Sequence, residues 1–273
     1  MSSMETSNLT RDELEKMFSE DKRFDGRKIL AYRDIKVETG ISNKAEGSAR
    51  VRLGKTEVLV GVKMETAEPY PDSPDKGNLT VSCDLLPMAS PRFEQGPPKF
   101  PAIELPRLVD RALRESGMID FHKLVITPKE KVWTIMVDIY PVNDDGNIID
   151  ASAIGAAVAL KQVRLPALDK DTGKVDYHQE PTKEKLPLAA GTIPLSFTFY
   201  KLGKSLIIDP TREEEEACEM RITFGASHFG KQFMLNSCQK TGELSLSEEE
   251  VEKILDIIPE KYEELSEKLK KYL

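Results

Sequence analysis

Alternating apolar and polar residues predict several β-strands in the first half of the chain. Residues 49–53 and 57–62 alternate in this way and are joined at Gly54-Lys55, which is typical of a β-hairpin. Further strands are predicted at 79–85 and at 133–140, where apolar residues recur at every second position. Together these segments predict a sheet that buries one face.

Helical spacing of apolar residues predicts a short helix near the start of the chain. Thr10 and Glu13 form a capping-box pattern that would open this helix, and the apolar stripe ends at Phe18. We interpret the helix as a docking arm. The later segment 87–101 contains five prolines, so it cannot hold a regular hydrogen-bond ladder and is predicted to be an irregular loop.

Two further helices are predicted between the strands. One extends to about Ser116, and its regular turns should begin near Ile103 so that Pro106 falls in the first turn. The other spans 150–163 and is rich in alanine and glycine, which would let its backbone lie close against a sheet. We expect this small-residue helix to be central to the fold.

The second half of the chain repeats the mixture of strands and helix. After a polar loop or exposed hairpin at 169–185, strands are predicted at 193–200, 205–209, 219–224 and 231–237. A final long helix opens with the capping box of Ser247 and Glu250, and Pro259 should kink it. This order of elements predicts an α+β or mixed α/β fold.

Composition narrows the class of protein. A net charge of -8 argues against nucleic-acid binding over most of the surface, because phosphate attraction needs clustered Lys and Arg. A local basic stripe is still compatible with that charge. No run approaches the roughly 18 apolar residues that span a bilayer, and no signal-peptide pattern opens the chain. We therefore expect no membrane partner and a cytoplasmic location.

The cysteines and histidines do not form a metal-binding pattern. The three cysteines are far apart and contain no CxxC pair, which favours buried free thiols over a metal or redox centre. The three histidines are isolated and lack ligand spacing. We therefore expect no metal and no cofactor. The residues concerned are Cys83, Cys218, Cys238, His122, His178 and His228.

A stripe of arginines is the clearest candidate for a nucleic-acid contact. Arg107, Arg111 and Arg114 lie at i, i+4 and i+7, so they share one face of the predicted helix, roughly opposite its apolar face. Contact with phosphate is a natural use of such a stripe. Composition alone favours pairing of these arginines with Glu104, Asp110 and Glu115.

Three short segments, taken together, carry a resemblance to a known family. They are Arg23-Phe24-Asp25-Gly26-Arg27, Glu46-Gly47-Ser48-Ala49 and Ile103-Glu104. Their order and spacing, within a match from about residue 23 to 265, resemble the RNase PH family, and the chain is similar to the non-catalytic ring subunit of the archaeal exosome. The resemblance implies the RNase PH fold, with a β-α core like the second domain of ribosomal protein S5.

The same resemblance implies how the chain is divided. It implies an N-terminal helical arm at 1–22 and a first RNase PH-like half at 23–168. A second α/β half follows at 186–273 and ends in the long helix.

The family's active members hold phosphate with two arginines and use a pair of aspartates. Here the first arginine position is Pro101, and the second, in Gly146-Asn147-Ile148-Ile149, is Ile149. The aspartate positions fall on Asp209 and Glu215. Phosphorolysis needs a cationic pocket and well-placed carboxylates. The resemblance therefore implies vestigial positions with no catalytic residue, and we interpret Glu213 to Glu216 as a solvated turn.

The resemblance also implies partners. A catalytic RNase PH-like exosome subunit would alternate with this chain in a hexameric ring, a trimer of heterodimers, and RNA-binding cap subunits would sit on that ring. Arginines matching Arg107 and Arg111 lie at the interface with the catalytic subunit in the family and guide single-stranded RNA. Arg114 completes the same stripe.

The sequence disfavours three other functions. An active phosphate-dependent 3′-5′ exoribonuclease would need relocated ligands such as Lys99, Arg92 or Arg50. A stand-alone RNA-binding protein is disfavoured by the acidic charge and by the absence of RRM, KH or S1-like aromatic patterns. A small-molecule kinase would need a glycine-rich phosphate loop, and none of the 16 glycines forms one.

Overall fold

Two β-sheets and five α-helices form the described part of the protein, and the predicted mixed α/β fold is confirmed. The computed structural model describes residues 7–169, 173–177, 179–230 and 232–273. The strands are β1 Ile35–Thr39, β2 Gly47–Leu53, β3 Thr56–Ala67, β4 Asn78–Cys83, β5 Val125–Thr127, β6 Lys131–Asn143, β7 Leu195–Leu202, β8 Ser205–Ile208, β9 Met220–Phe229 and β10 Gln232–Gly242. The helices are α1 Asn8–Ser19, α2 Phe100–Arg114, α3 Ile148–Gln162, α4 Arg212–Ala217 and α5 Glu248–Leu269.

The first sheet has the order β1-β2-β3-β6-β4, with β5 paired to β6. Among the described strands of this sheet, only β4 runs parallel to its neighbour, β6. The predicted hairpin is β2 and β3, and Gly54 makes its turn possible with a φ of +59°. Val58, Val60 and Val62 point to the buried face of β3, as the alternation predicted.

The second sheet is antiparallel with the order β10-β9-β7-β8. α1 docks on it, because Leu14 and Phe18 are buried against Tyr200 and Ile207. The predicted apolar stripe of the first helix therefore faces the second sheet. None of the helices in the described ranges is long and apolar enough to cross a lipid bilayer.

α3 lies between the two sheets and contacts β2, β3 and β7. Its residues from Ile148 to Leu160 are all buried, and small side chains allow the close packing. Gly47, in the Glu46-Gly47-Ser48-Ala49 segment, is part of this contact. A Cβ there would overlap the carbonyl oxygen of Ala159 and lie 2.9 Å from Cγ2 of Val163. The glycine of that segment therefore lets β2 approach α3.

The starts of two helices differ from prediction. α1 begins at Asn8 because Ser7 is the N-cap and its hydroxyl accepts a hydrogen bond from the Thr10 amide at 3.2 Å. The predicted Thr10 capping box was wrong, since an earlier serine takes that role. α2 begins at Phe100 instead of near Ile103, with a proline favouring its first turn, so Pro106 lies inside the helix.

The last helix begins as predicted. Ser247 and Glu250 form the capping box in both directions. Pro259 lies within a single continuous helix, α5, and the kink at this position stays a prediction.

The cysteines are only partly buried. All three are free, but Cys238 is exposed on β10, so the prediction of buried thiols was wrong for this residue. β10 is an edge strand with one side facing solvent, which explains the exposure. His122 and His228 lie on separate elements, with Asp75 and Glu263 as their respective neighbours, and His178 is outside the described residues.

Candidate nucleic-acid interface

α2 presents two arginines to solvent, and neither has a partner among the described residues. Arg107 and Arg111 are exposed, and neither side chain forms a hydrogen bond or ion pair with any residue in the described ranges. The opposite face of the helix is buried against the protein. That buried face consists of Leu105, Leu108, Val109, Ala112 and Leu113. α2 therefore holds two unpaired cations on a firmly packed element.

Arg114, the third member of the stripe, is engaged within the protein. Its guanidinium donates to both carboxylate oxygens of Asp110, at 3.0 and 2.7 Å, and to the carbonyl of Leu79 at 3.0 Å. The hydrogen bond to Asp110 raises the pKa of Arg114 above its ordinary value. Arg114 therefore pairs with Asp110 within the protein, and its contact with RNA stays a prediction.

Glu104 does not pair with the arginine stripe. Its side chain is buried and accepts hydrogen bonds from Arg221, from Gln239 at 3.1 Å and from Thr241 at 2.5 Å. These partners lie on β9 and β10. Glu104 therefore joins α2 to the second sheet.

Three of the four predicted vestigial positions meet in one cleft. Pro101, Ile149 and Glu215 line a cavity of about 160 Å³. Asp209 does not line it. The remaining lining residues are Leu85, Arg92, Phe93, Glu104, Leu105, Ile148 and Arg221.

Each cation that lines this cleft has a carboxylate partner. Arg92 lies 2.7 Å from Asp144 and 4.0 Å from Glu215, while Arg221 pairs with Glu104. Burial opposes the charge of Arg92, but these two carboxylates hold its pKa above the ordinary value. The described residues that line the cleft therefore offer no unpaired positive charge to a phosphate group.

The other cations considered as relocated ligands are also paired. Lys99 pairs with Glu94, and Arg50 lies between Glu38 and Glu57 on the first sheet. Neither of them lines the cleft.

Asp209 is fully buried and has a left-handed backbone with a φ of +46°. Its carboxylate accepts hydrogen bonds from the amide and guanidinium of Arg33, with the shortest at 2.7 Å. Arg27 adds a donor at 3.1 Å, and the side-chain amide of Asn147 adds another at 3.0 Å. These donors surround the carboxylate, so it stabilises the fold at this point.

The glutamate run forms a short helix, so the interpretation of Glu213 to Glu216 as a solvated turn was wrong. It lies in α4, where Glu214 is buried and pairs with Arg23, with Nε of that arginine 2.9 Å from the carboxylate. The carboxylate of Glu215 accepts a hydrogen bond from the backbone amide of Asn147 at 2.8 Å, and Glu215 lines the cleft. Because Arg23 is 191 residues away, no local pattern could reveal this pairing.

Asn147, Arg33 and Arg221 are site residues that sequence reasoning missed. Asn147 binds Asp209 and Glu215 and lies inside a segment that the family resemblance had marked. Arg33 and Arg221 are single arginines with no signal in the surrounding sequence. Over the described residues, no group of three His, Cys, Asp or Glu side chains could hold a metal ion.

Comparisons with known proteins cover nearly the whole chain. Residues 31–166 match domain 1, and residues 192–257 match domain 2, of the 3′ exoribonuclease family, RNase PH. The exosome complex component Rrp42 of Methanosarcina mazei is 42% identical, over 94% of this chain and 92% of that protein. The protein of the same name from Thermococcus kodakarensis is 41% identical, over 99% of this chain and 98% of that protein.

A solved structure agrees with these matches. A chain of the Archaeoglobus fulgidus exosome, determined with RNA bound to the active site, superimposes with a TM-score of 0.86 at 38% identity. It covers 96% of this chain and 98% of its own length. With both domains matched in order and relatives at about 40% identity, this chain belongs to the RNase PH 3′ exoribonuclease family.

Proposed function

We propose that this chain is a non-catalytic ring subunit of an exosome that degrades RNA from the 3′ end. Its similarity to proteins named exosome complex component Rrp42, and to a chain of an archaeal exosome, supports membership of such a ring. In the proposed assembly it alternates with a catalytic RNase PH-like paralogue in a hexamer, a trimer of heterodimers. RNA-binding cap subunits complete the complex, and we place it in the cytoplasm.

The cleft carries the non-catalytic part of the proposal. Attack by inorganic phosphate requires positive charge held against the anion. At the two positions where active relatives place arginines, this chain has Pro101 and Ile149, and the arginines that line the cleft are paired with carboxylates. The cleft would therefore bind phosphate poorly, and the catalytic step is assigned to the paralogue.

The arginines of α2 supply the second role. Arg107 and Arg111 are exposed and have no partner within the described ranges, and guanidinium groups bind phosphates through several hydrogen bonds. In a chain with a net charge of -8, this pair concentrates the attraction for RNA on one helix. The subunit then shapes the partner's active site and contacts single-stranded RNA.

Phosphate-dependent degradation of a labelled single-stranded RNA tests the proposal. The assay compares this chain alone, the paralogue alone, and the two mixed. We expect activity to require the paralogue and to rise on mixing. A mixture in which the paralogue lacks its two phosphate-binding arginines should be inactive, because this chain cannot replace them. Release of nucleoside diphosphates by this chain alone would show an active enzyme and overturn the proposal.

The double variant Arg107→Glu, Arg111→Glu tests the RNA contact in the same assay. We expect slower degradation with the ring still assembled, since both side chains are exposed. The matched control is Lys36→Glu with Lys253→Glu, which changes the charge equally at two exposed positions outside α2. Equal rates for the wild type and the arginine variant would contradict the proposed contact between these arginines and RNA.

A further inference from the structure

A second, larger groove lies beside the start of α2. Its volume is about 510 Å³, within the roughly 300–1,000 Å³ typical of small-molecule sites. The proline-rich segment forms most of it, and its walls are largely apolar. Its apolar lining includes Leu86, Phe93, Pro97, Pro98 and Phe100.

The charges around this groove balance one another. Asp84 and Glu94 are its two carboxylates, and Arg92 and Lys99 are its two cations. Lys99 pairs with Glu94, and Arg92 is turned to Asp144. Such a groove suits an uncharged flat ring better than a phosphate group.

Phe100 lies at the edge of this groove, and its ring is available to solvent. It is 62% exposed although it opens a helix whose other face is buried. Seven residues make nearly two turns, so Phe100 and Arg107 point within about 20° of each other, and Arg111 continues the same line. The distances along the axis are about 10 Å from Phe100 to Arg107 and about 6 Å from Arg107 to Arg111.

We propose that Phe100 and the groove form a nucleobase subsite for the RNA strand whose phosphates contact Arg107 and Arg111. The inference rests on the proposed function. Aromatic side chains stack on bases of any sequence, while arginines hold the backbone, and this helix face offers both in a line. The neutral groove receives the base, and the unpaired cations receive the phosphates. The charge pattern thus favours RNA over a protein partner as the occupant.

The test is RNA binding by the ring assembled with its catalytic paralogue, in buffer without phosphate so that no degradation occurs. A fluorescent oligoadenylate is titrated at several salt concentrations. We expect Phe100→Ala to weaken binding about fivefold or more, with an unchanged salt slope, because stacking is uncharged. Phe100→Trp should restore binding. Phe24→Ala, which removes another half-exposed phenylalanine, is the matched control.

The arginine double variant separates this inference from the proposed function. It should lower the salt slope by about 1.4 log units, or roughly 0.7 for each contact. Wild-type binding by Phe100→Ala together with weak binding by the arginine variant would overturn the base subsite alone. Wild-type binding by the arginine variant would remove the RNA contact, and this inference with it. Loss of the ring in Phe100→Ala would show a protein interface and also overturn the subsite.

Discussion

Two buried aspartates accept hydrogen bonds from residues that are far away in the sequence. Asp209 is bound by Arg27, Arg33 and Asn147. Asp150 is bound by Tyr32, Asn147 and Thr198. A buried charge is tolerated only when it is hydrogen-bonded or paired. At residue scale, these two aspartates therefore join the second sheet to α3 and to the segment before β1.

Asp150 should make stability depend on pH. Complete burial raises its pKa to about 6, although Thr198, Asn147 and Tyr32 donate hydrogen bonds to it. The folded protein therefore holds this proton more tightly than the unfolded chain, whose aspartates have a pKa of about 3.9. The contribution of Asp150 to stability is greatest below about pH 4 and declines by about 3 kcal/mol as the pH rises past 6.

Asp150→Asn should remove that decline. The variant will be less stable throughout, because its amide NH2 faces other donors, but its stability should fall less between pH 4 and 6. The measurement is the free energy of unfolding in urea at several pH values for both proteins. A difference between the two proteins that is constant across this range would contradict the assigned pKa.

At the scale of elements, the contact between β2 and α3 depends on Gly47. We expect Gly47→Ala to lower the free energy of unfolding by about 3 kcal/mol or more, since the new methyl group meets backbone that cannot move aside easily. Chemical denaturation measures this loss.

Gly61→Ala is the matched control for that experiment. Gly61 is in β3 and pairs with Ser48, the residue next to Gly47. A Cβ at this position would meet only the Cβ of Ala45, at an ordinary 3.8 Å. Its effect should stay within about 0.5 kcal/mol. Equal effects of the two substitutions would show that close approach to α3 is not the reason for the glycine.

Sequence pattern predicted the long elements because their periodicity reflects burial directly. β3 and β6 alternate buried and less buried residues at the period that their sequence shows, and α3 is buried throughout, as its small residues indicated. β1 was missed, since five residues with a single buried side chain give too short a pattern. α4 was misjudged because its glutamate pairs with an arginine from the other end of the chain.

For the candidate site, the sequence predicted which residues occupy the family's positions but not how their charges are paired. Family spacing led to Pro101, Ile149 and Glu215, which share a cleft although they are far apart in sequence. The charge balance of that cleft could not be predicted. It depends on Arg92 and Arg221, whose partners are set by tertiary packing and not by spacing.

At the scale of the whole molecule, the pair of Arg23 and Glu214 connects the segment after α1 to the second half. Both side chains are almost fully buried. Glu214→Gln should lower the free energy of unfolding by about 3–5 kcal/mol, because it leaves a buried guanidinium without its counter-charge. Glu213→Gln, at the exposed neighbour on the same helix, should have little effect. Equal stability of the two variants in urea would refute this role.

The same pair has a consequence for the protein during its synthesis. Arg23 is 191 residues from Glu214, and Arg33 is 176 residues from Asp209. At roughly 5–20 residues per second, a ribosome needs roughly 10–40 s to make the carboxylates after the arginines have been made. During that interval Arg23 and Arg33 have already been synthesised, but the carboxylates that pair with them in the folded protein have not. The segment that contains Arg23 can therefore reach its final position only after α4 has been synthesised.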